Sequence, residues 1–227
     1  MKVSIFDVAG PIMVGPSSSH TAGACKIGQI ARALFRGTPT NVKFYLYGSF
    51  ATVYQGHATD KALLAGVMKL WTSDSNIRNA FEIAKEKKIE YEFIPFKIST
   101  PEHHPNTVRI ILENRNRKLS VVGSSLGGGN VKITQINNVP IDLEIMAGRF
   151  FSIIIGHENA PKVLDPLYEK LKEWGSAIAN SQTCSVKKNS VTILNIEGFI
   201  PKLPQVLELE KLPGIQFVRA LTKLLKY

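Results

Sequence analysis

The sequence predicts an α+β fold in two parts, 1–145 and 146–227, dividing near residues 144–148. Two observations carry this reading. The first part mixes alternating, strand-like segments with apolar-periodic, helix-like ones. The second has the order βαββαβ, which is the ferredoxin-like split βαβ pattern. In the first part, Thr21-Ala22-Gly23-Ala24 leads into Ile27, Ile30, Ala31 and Leu34 at helical spacing. Residues 42–47 alternate as a strand, and 62–67 form a helix-like apolar run. Residues 76–85 place apolar side chains at i, i+4 and i+7 and predict a helix. Strands are predicted at 91–97, 107–113 and 131–136. Between the last two lies Gly123-Ser124-Ser125-Leu126-Gly127-Gly128-Gly129, which reads either as a close backbone approach to a ligand or as a hairpin loop. It is no dinucleotide fingerprint, because no G-x-G-x-x-G opens a helix there.

The second part begins with a strand at 150–155. A helix is predicted over 160–174, with Asn159 as its cap, Pro161 in its first turn and Gly175 past its end. Strands 177–186 and 191–196 are joined by the turn Lys187-Lys188-Asn189-Ser190. A short helix at 203–209 and a strand at 215–221 complete the order.

Composition narrows the function. The 227 residues are 44 % hydrophobic and 20 % charged, as in an ordinary globular protein. No apolar run approaches the roughly 20 residues that span a bilayer. The N-terminus has an early acid and no signal-peptide core, so no membrane role and a cytoplasmic setting are expected. The net charge of +10 invites a nucleic-acid reading, but the basic residues are dispersed and no stacking aromatics interleave with them. Cys25 and Cys184 are far apart with no CxxC spacing, so this chain is not expected to build a metal cluster alone.

Chemistry concentrates in three histidine-bearing segments before residue 108. In Gly15-Pro16-Ser17-Ser18-Ser19-His20-Thr21, four hydroxyls and an imidazole follow a turn and precede a helix. Free N–H groups and hydroxyls there make a small-anion pocket, for which a carboxylate is the obvious guest. A serine-rich N-cap is the plainer reading. Gly56-His57-Ala58-Thr59-Asp60-Lys61 precedes the second helix, and Pro101-Glu102-His103-His104-Pro105-Asn106-Thr107 joins two strands. Histidine is the side chain suited to proton transfer near neutral pH, so three such loops suggest one convergent site.

These segments closely resemble the beta subunit of the bacterial iron–sulfur-dependent L-serine dehydratases. The matching pieces are Ser4-Ile5-Phe6-Asp7-Val8, Gly10-Pro11, the serine–histidine segment, Tyr47-Gly48-Ser49-Phe50-Ala51-Thr52, Gly56-His57-Ala58-Thr59-Asp60-Lys61-Ala62, His104-Pro105-Asn106-Thr107 and the Gly123–Gly129 stretch. The resemblance implies an L-serine ammonia-lyase giving pyruvate and ammonia. It implies an alpha-subunit partner that holds a [4Fe–4S] cluster, whose open iron would take the serine hydroxyl. It also implies a first domain like the allosteric-substrate-binding domains and an ACT-like second domain that self-associates. Gly156-His157-Glu158-Asn159-Ala160-Pro161 matches the glycine-rich start of an ACT helix poorly, which puts effector binding there in question.

On this resemblance Ser17, Ser18, Ser19 and Thr21 are assigned to the substrate carboxylate, with Thr59 and Asp60 also substrate-binding. His57 is the first candidate for proton transfer and His20 the second. His103, His104 and Asn106 are assigned to a possible regulatory pocket, and no metal ligand is assigned to this chain. A non-catalytic serine-sensing subunit is the alternative, in which the loop histidines bind effector.

Overall fold

The structure is a computed structural model and describes residues 13–96, 104–145 and 151–221. It is a mixed α+β protein that divides into two compact units, one built on a six-stranded sheet and one on a four-stranded sheet.

The six strands are β1 (Asn41–Gly48), β2 (Glu90–Phe96), β3 (Asn106–Asn114), β4 (Arg117–Gly127), β5 (Asn130–Ile136) and β6 (Val139–Ile145), in the order β2-β1-β3-β4-β5-β6. β1 alternates as its sequence demands, burying Val42, Phe44 and Leu46. It pairs in parallel with β2, so the chain between them must cross over, and that crossover carries three helices. These are α2 (Ser49–Val53), α3 (Thr59–Val67) and α4 (Ala80–Glu86). α1 (Ala24–Phe35) precedes β1 and buries Ile27, Ile30, Leu34 and Phe35.

α1 and α3 meet backbone to backbone. A Cβ on Gly28 would lie 2.4 Å from the Leu63 carbonyl oxygen, and one on Gly66 would lie 2.1 Å from that of Cys25. Only glycine permits this approach, and it fixes the chain entering α1 relative to the chain entering α3. Gly123 has a similar use, since its Cβ would meet Ile27 and Ile133 side-chain carbons at 2.9 Å.

Three expectations for this unit change. The predicted helix over 76–85 is a 3₁₀ turn (Ser75–Asn79) followed by α4, because the Asp74 carboxylate accepts the Asn76 N–H and its carbonyl accepts the Ile77 N–H, tightening the first turn. Most of the Gly123–Gly129 stretch is strand, buried through Ser125, and only Gly128 and Gly129 turn the β4–β5 hairpin. β6 has no counterpart in the sequence reading.

The second unit contains β7 (Phe151–Glu158), α5 (Asp165–Glu173), β8 (Ser176–Val186), β9 (Asn189–Gly198), α6 (Leu203–Leu209) and β10 (Ile215–Leu221). Its strand order is β10-β7-β9-β8 with antiparallel neighbours, so β9 splits the parallel pair β7 and β8. Ile153, Ile155, Leu167, Leu171, Leu194, Val206, Leu209 and Val218 form its core. The helix predicted from residue 160 begins only at Asp165. Lys162 has a left-handed φ of 58°, which interrupts helical backbone, and Pro166 takes the first-turn position assigned to Pro161. The Asn159 side chain donates to the Lys187 carbonyl instead of capping the helix. The β8–β9 turn is the two residues Lys187 and Lys188, shorter than predicted.

Candidate functional site

The serine–histidine segment folds as one π-helical turn, Ser18–Gly23, running into α1. Ser17 has extended backbone, and its hydroxyl accepts the His20 N–H at 3.1 Å. It is therefore the N-cap that composition suggested. The Ser18 and Ser19 N–H groups stand at the start of the turn, ahead of any intrahelical partner. The turn folds the imidazole back among hydroxyls. His20 Nδ1 lies 3.1 Å from Ser19 Oγ and 3.4 Å from Ser17 Oγ, and Nε2 lies 2.9 Å from Ser49 Oγ.

Ser49 was not assigned to the site from sequence. It opens α2 directly after Gly48, whose left-handed φ of 56° turns the chain out of β1. A Cβ at Gly48 would meet the Pro105 carbonyl oxygen at 2.5 Å, so the glycine also lets the His104–Asn106 loop close against this turn. The Tyr47-Gly48-Ser49 segment carried the signal, but only the fold brings a residue 29 positions away onto His20.

His57 arrives from the loop before α3. Its ring centroid is 5.0 Å from that of His20, and Phe50 meets His20 edge-on at 5.4 Å. The Thr21 hydroxyl donates to the His57 carbonyl at 3.2 Å, tying the two histidine-bearing turns together. Thr21 is buried and acts as a strut. Burial, with the neighbouring His57 second, lowers the His20 pKa from its ordinary 6.5. A neutral imidazole flanked by hydroxyl oxygens can accept a proton or relay one.

Thr59 and Asp60 are both buried at the start of α3. The Thr59 hydroxyl has no hydrogen-bond partner, whereas the Asp60 carboxylate accepts the Lys61 N–H at 2.7 Å. Burial raises the Asp60 pKa and backbone hydrogen bonds partly offset this. In the β3 loop, His104 Nδ1 accepts the Asn106 N–H, and the Asn106 amide donates to the Ser125 carbonyl. Thr107 and Ser124 share a buried hydroxyl contact of 2.7 Å. The Ser125 hydroxyl is buried, unpartnered and pressed against Gly23 of the π turn. Ser124 and Ser125, like Ser49, escaped the sequence assignment. His103 lies outside the described residues, as do the matching pieces Ser4–Val8 and Gly10-Pro11.

An iron–sulfur cluster does not fit the cysteines present here. The Cys25 thiol is fully buried, points at the Leu70 carbonyl and is pushed up to about 12 by burial, so it stays protonated rather than offering a thiolate. Among the described residues no group of three or more His, Cys, Asp or Glu side chains could hold a metal ion.

Taken together, the first unit is an α+β domain in which two histidines face each other among serines where the chain enters two helices. Comparison with known proteins identifies the family. The serine dehydratase beta chain family matches residues 4–135. A probable L-serine dehydratase beta chain of Bacillus subtilis is 35 % identical over 213 residues, covering 93 % of this chain and 94 % of the relative. The L-serine dehydratase beta chain of Peptoniphilus asaccharolyticus is 38 % identical over 190 residues, with coverage of 83 % and 82 %. Among solved structures, the ACT domain from the GTP pyrophosphokinase of Chlorobium tepidum aligns with 32 % of this chain and 96 % of its own, at 16 % identity and a TM-score of 0.27. This chain belongs to the serine dehydratase beta chain family.

Proposed function

We propose that this chain is the beta subunit of an L-serine ammonia-lyase, converting L-serine to pyruvate and ammonia together with an alpha subunit. The single observation that carries the proposal is the 5.0 Å pair His20–His57 set in a serine-lined turn, on a chain of this family. The serine carboxylate sits on the Ser17, Ser18 and Ser19 hydroxyls and the free N–H groups of the turn. Thr21, Thr59 and Asp60 line the pocket from behind. His57 removes the α-proton, and His20 serves as the second proton-transfer group, held by Ser19 and Ser49. With loss of the β-hydroxyl, aminoacrylate forms. It tautomerises to an imine, and water releases pyruvate and ammonia. The [4Fe–4S] cluster of this reading belongs to the alpha subunit, since Cys25 is an inert buried thiol. Free Cys25 and Cys184 accord with a reducing cytoplasm, and no described helix is long and apolar enough to cross a membrane.

In the same reading, residues 1–145 form the domain akin to allosteric-substrate-binding domains and 146–227 an ACT-like domain. Self-association runs through that second domain, whose edge strand β8 is exposed along most of its length and carries no charge. A serine-sensing subunit is a second reading. It is favoured by the hydrogen-bonded set at His104, Asn106 and Thr107, which stands beside the Ser49 turn.

The test is anaerobic pyruvate formation from L-serine by this chain, by the alpha subunit and by both. Activity only with both supports the proposal. Activity from the alpha subunit alone, merely modulated by this chain, favours sensing, and no activity with an intact cluster rejects the assignment.

A further inference from the structure

The exposed surface around the site is poor in charge: the Lys26 ammonium is tied down on the Gly129 carbonyl at 2.7 Å, and Asp60 is buried. Residues 8–25, 44–59, 103–108 and 119–131 contain no Asp, Glu, Lys or Arg, in runs of 18, 16, 6 and 13 residues. At the chain-wide share of 20 %, about ten charges would be expected there. The runs are distant in sequence, yet the fold gathers them. The π turn comes from the first, Ser49 and His57 from the second, Asn106 from the third and Ser125 from the fourth. Burial explains the middle of each run but not its exposed members. Gly15, Pro16, Thr52, Gln55, Gly56, Pro105, Leu126 and Gly128 are all open to solvent, and Leu126 is an exposed large apolar side chain at 43 %. In this unit other exposed positions are rich in charge, and in the second unit the uncharged exposed strand β8 is the comparable exception. On and after α4, for example, Glu82, Lys85, Glu86, Lys87, Lys88 and Glu90 all face solvent.

A charge-free exposed ring around a polar pocket is not what an open, solvated site needs, because exposed charge there would cost nothing. It is what a surface needs if it loses its water, since charged groups are depleted from the desolvated core of protein interfaces. We propose that this ring is the docking face for the alpha subunit, and that the subunit closes the pocket by seating an equally uncharged surface on it. The proposal rests on the two-subunit reading above and adds the face and its chemistry. Despite a net charge of +10, the contact is therefore not an electrostatic one with an acidic partner.

The test uses the full chain and the holo alpha subunit, purified anaerobically, with the dissociation constant measured by calorimetry. Leu126→Asp, at an exposed position outside the pocket, should weaken binding at least tenfold while leaving the melting temperature of the free chain unchanged. Lys88→Glu, on the charged surface just past α4, should bind like wild type. Raising salt from 50 to 500 mM should change wild-type affinity less than about threefold. Wild-type binding by Leu126→Asp, or a steep fall of affinity with salt, overturns the proposal. So does finding that Leu126→Asp instead dissociates a dimer of this chain alone, because the occupant is then a second copy. If wild-type chains neither bind each other nor deaminate serine, the two-subunit reading fails first. If they do both and Leu126→Asp is indifferent, only the docking face is wrong.

Discussion

Gly66→Ala is the sharpest test of how the fold builds the site. The added methyl would lie 2.1 Å from the Cys25 carbonyl oxygen and 2.9 Å from the Gln29 nitrogen, where an ordinary contact begins at 3.4 Å. The atoms in the way are α1 backbone, which cannot rotate aside, so the helices must part by about 1 Å. Overpacking of this kind costs about 1–3 kcal/mol, and with backbone as the obstacle the upper end applies. Alanine returns up to about 1 kcal/mol of helix propensity. The net loss is about 2 kcal/mol, or about 4–8 °C of melting temperature in a chain this size. The functional effect should be larger than the stability effect suggests. α1 begins at the His20 turn and α3 at the His57 loop, and a misplacement of about 1 Å can cost about 100-fold in rate. Differential scanning fluorimetry on the free chain and pyruvate formation by the two-subunit enzyme measure the two effects. If Gly66→Ala melts and turns over like wild type, this helix crossing does not set the distance between the histidines.

Four further outcomes are expected. His57→Ala should abolish turnover while the complex still assembles on gel filtration, and wild-type activity would remove His57 from the mechanism. Ser49→Ala deletes the partner of His20 Nε2 and should lower kcat about 3- to 10-fold, the worth of one hydrogen bond of about 0.5–1.5 kcal/mol; an unchanged kcat would leave Ser49 without a role. The folded-state pKa of His20 lies below 6.5, so its contribution to stability is full above pH 6.5 and is lost as pH falls from there through the lowered folded value, because the unfolded chain protonates first. In an NMR titration, His57→Gln should move the His20 midpoint part of the way back up, and no movement would exclude His57 as a cause. Finally, Ser181→Pro in the middle of β8 should turn a self-associating chain monomeric by light scattering, since proline removes a pairing N–H and blocks edge pairing; an unchanged mass would place self-association elsewhere.

Much was legible because it is local. The α6 span 203–209 and the β10 span 215–221 follow from short apolar runs bounded by Pro and Gly, and β1 follows from alternation alone. The helix predicted over 160–174 starts late because the left-handed backbone at Lys162 leaves no mark in composition. β4 was hard to read because both its faces are buried, so its residues do not alternate. Glycine was ambiguous throughout. Gly123 looked like loop or ligand cradle, yet its use is to let Ile27 and Ile133 close over the sheet.

The sequence by itself determined the family, through segments specific to it, and the hydroxyls beside His20, because cap, turn and imidazole lie within one helical turn of each other. Only the tertiary structure decided which distant groups meet them. Gly28 and Gly66 bring α1 and α3 into backbone contact and so set His57 beside His20. The left-handed Gly48 delivers Ser49 to Nε2, and β4 places Ser125 beneath the π turn. Those pairings depend on close approaches between segments tens of residues apart, and periodicity, which reports only on neighbours along the chain, holds no record of them.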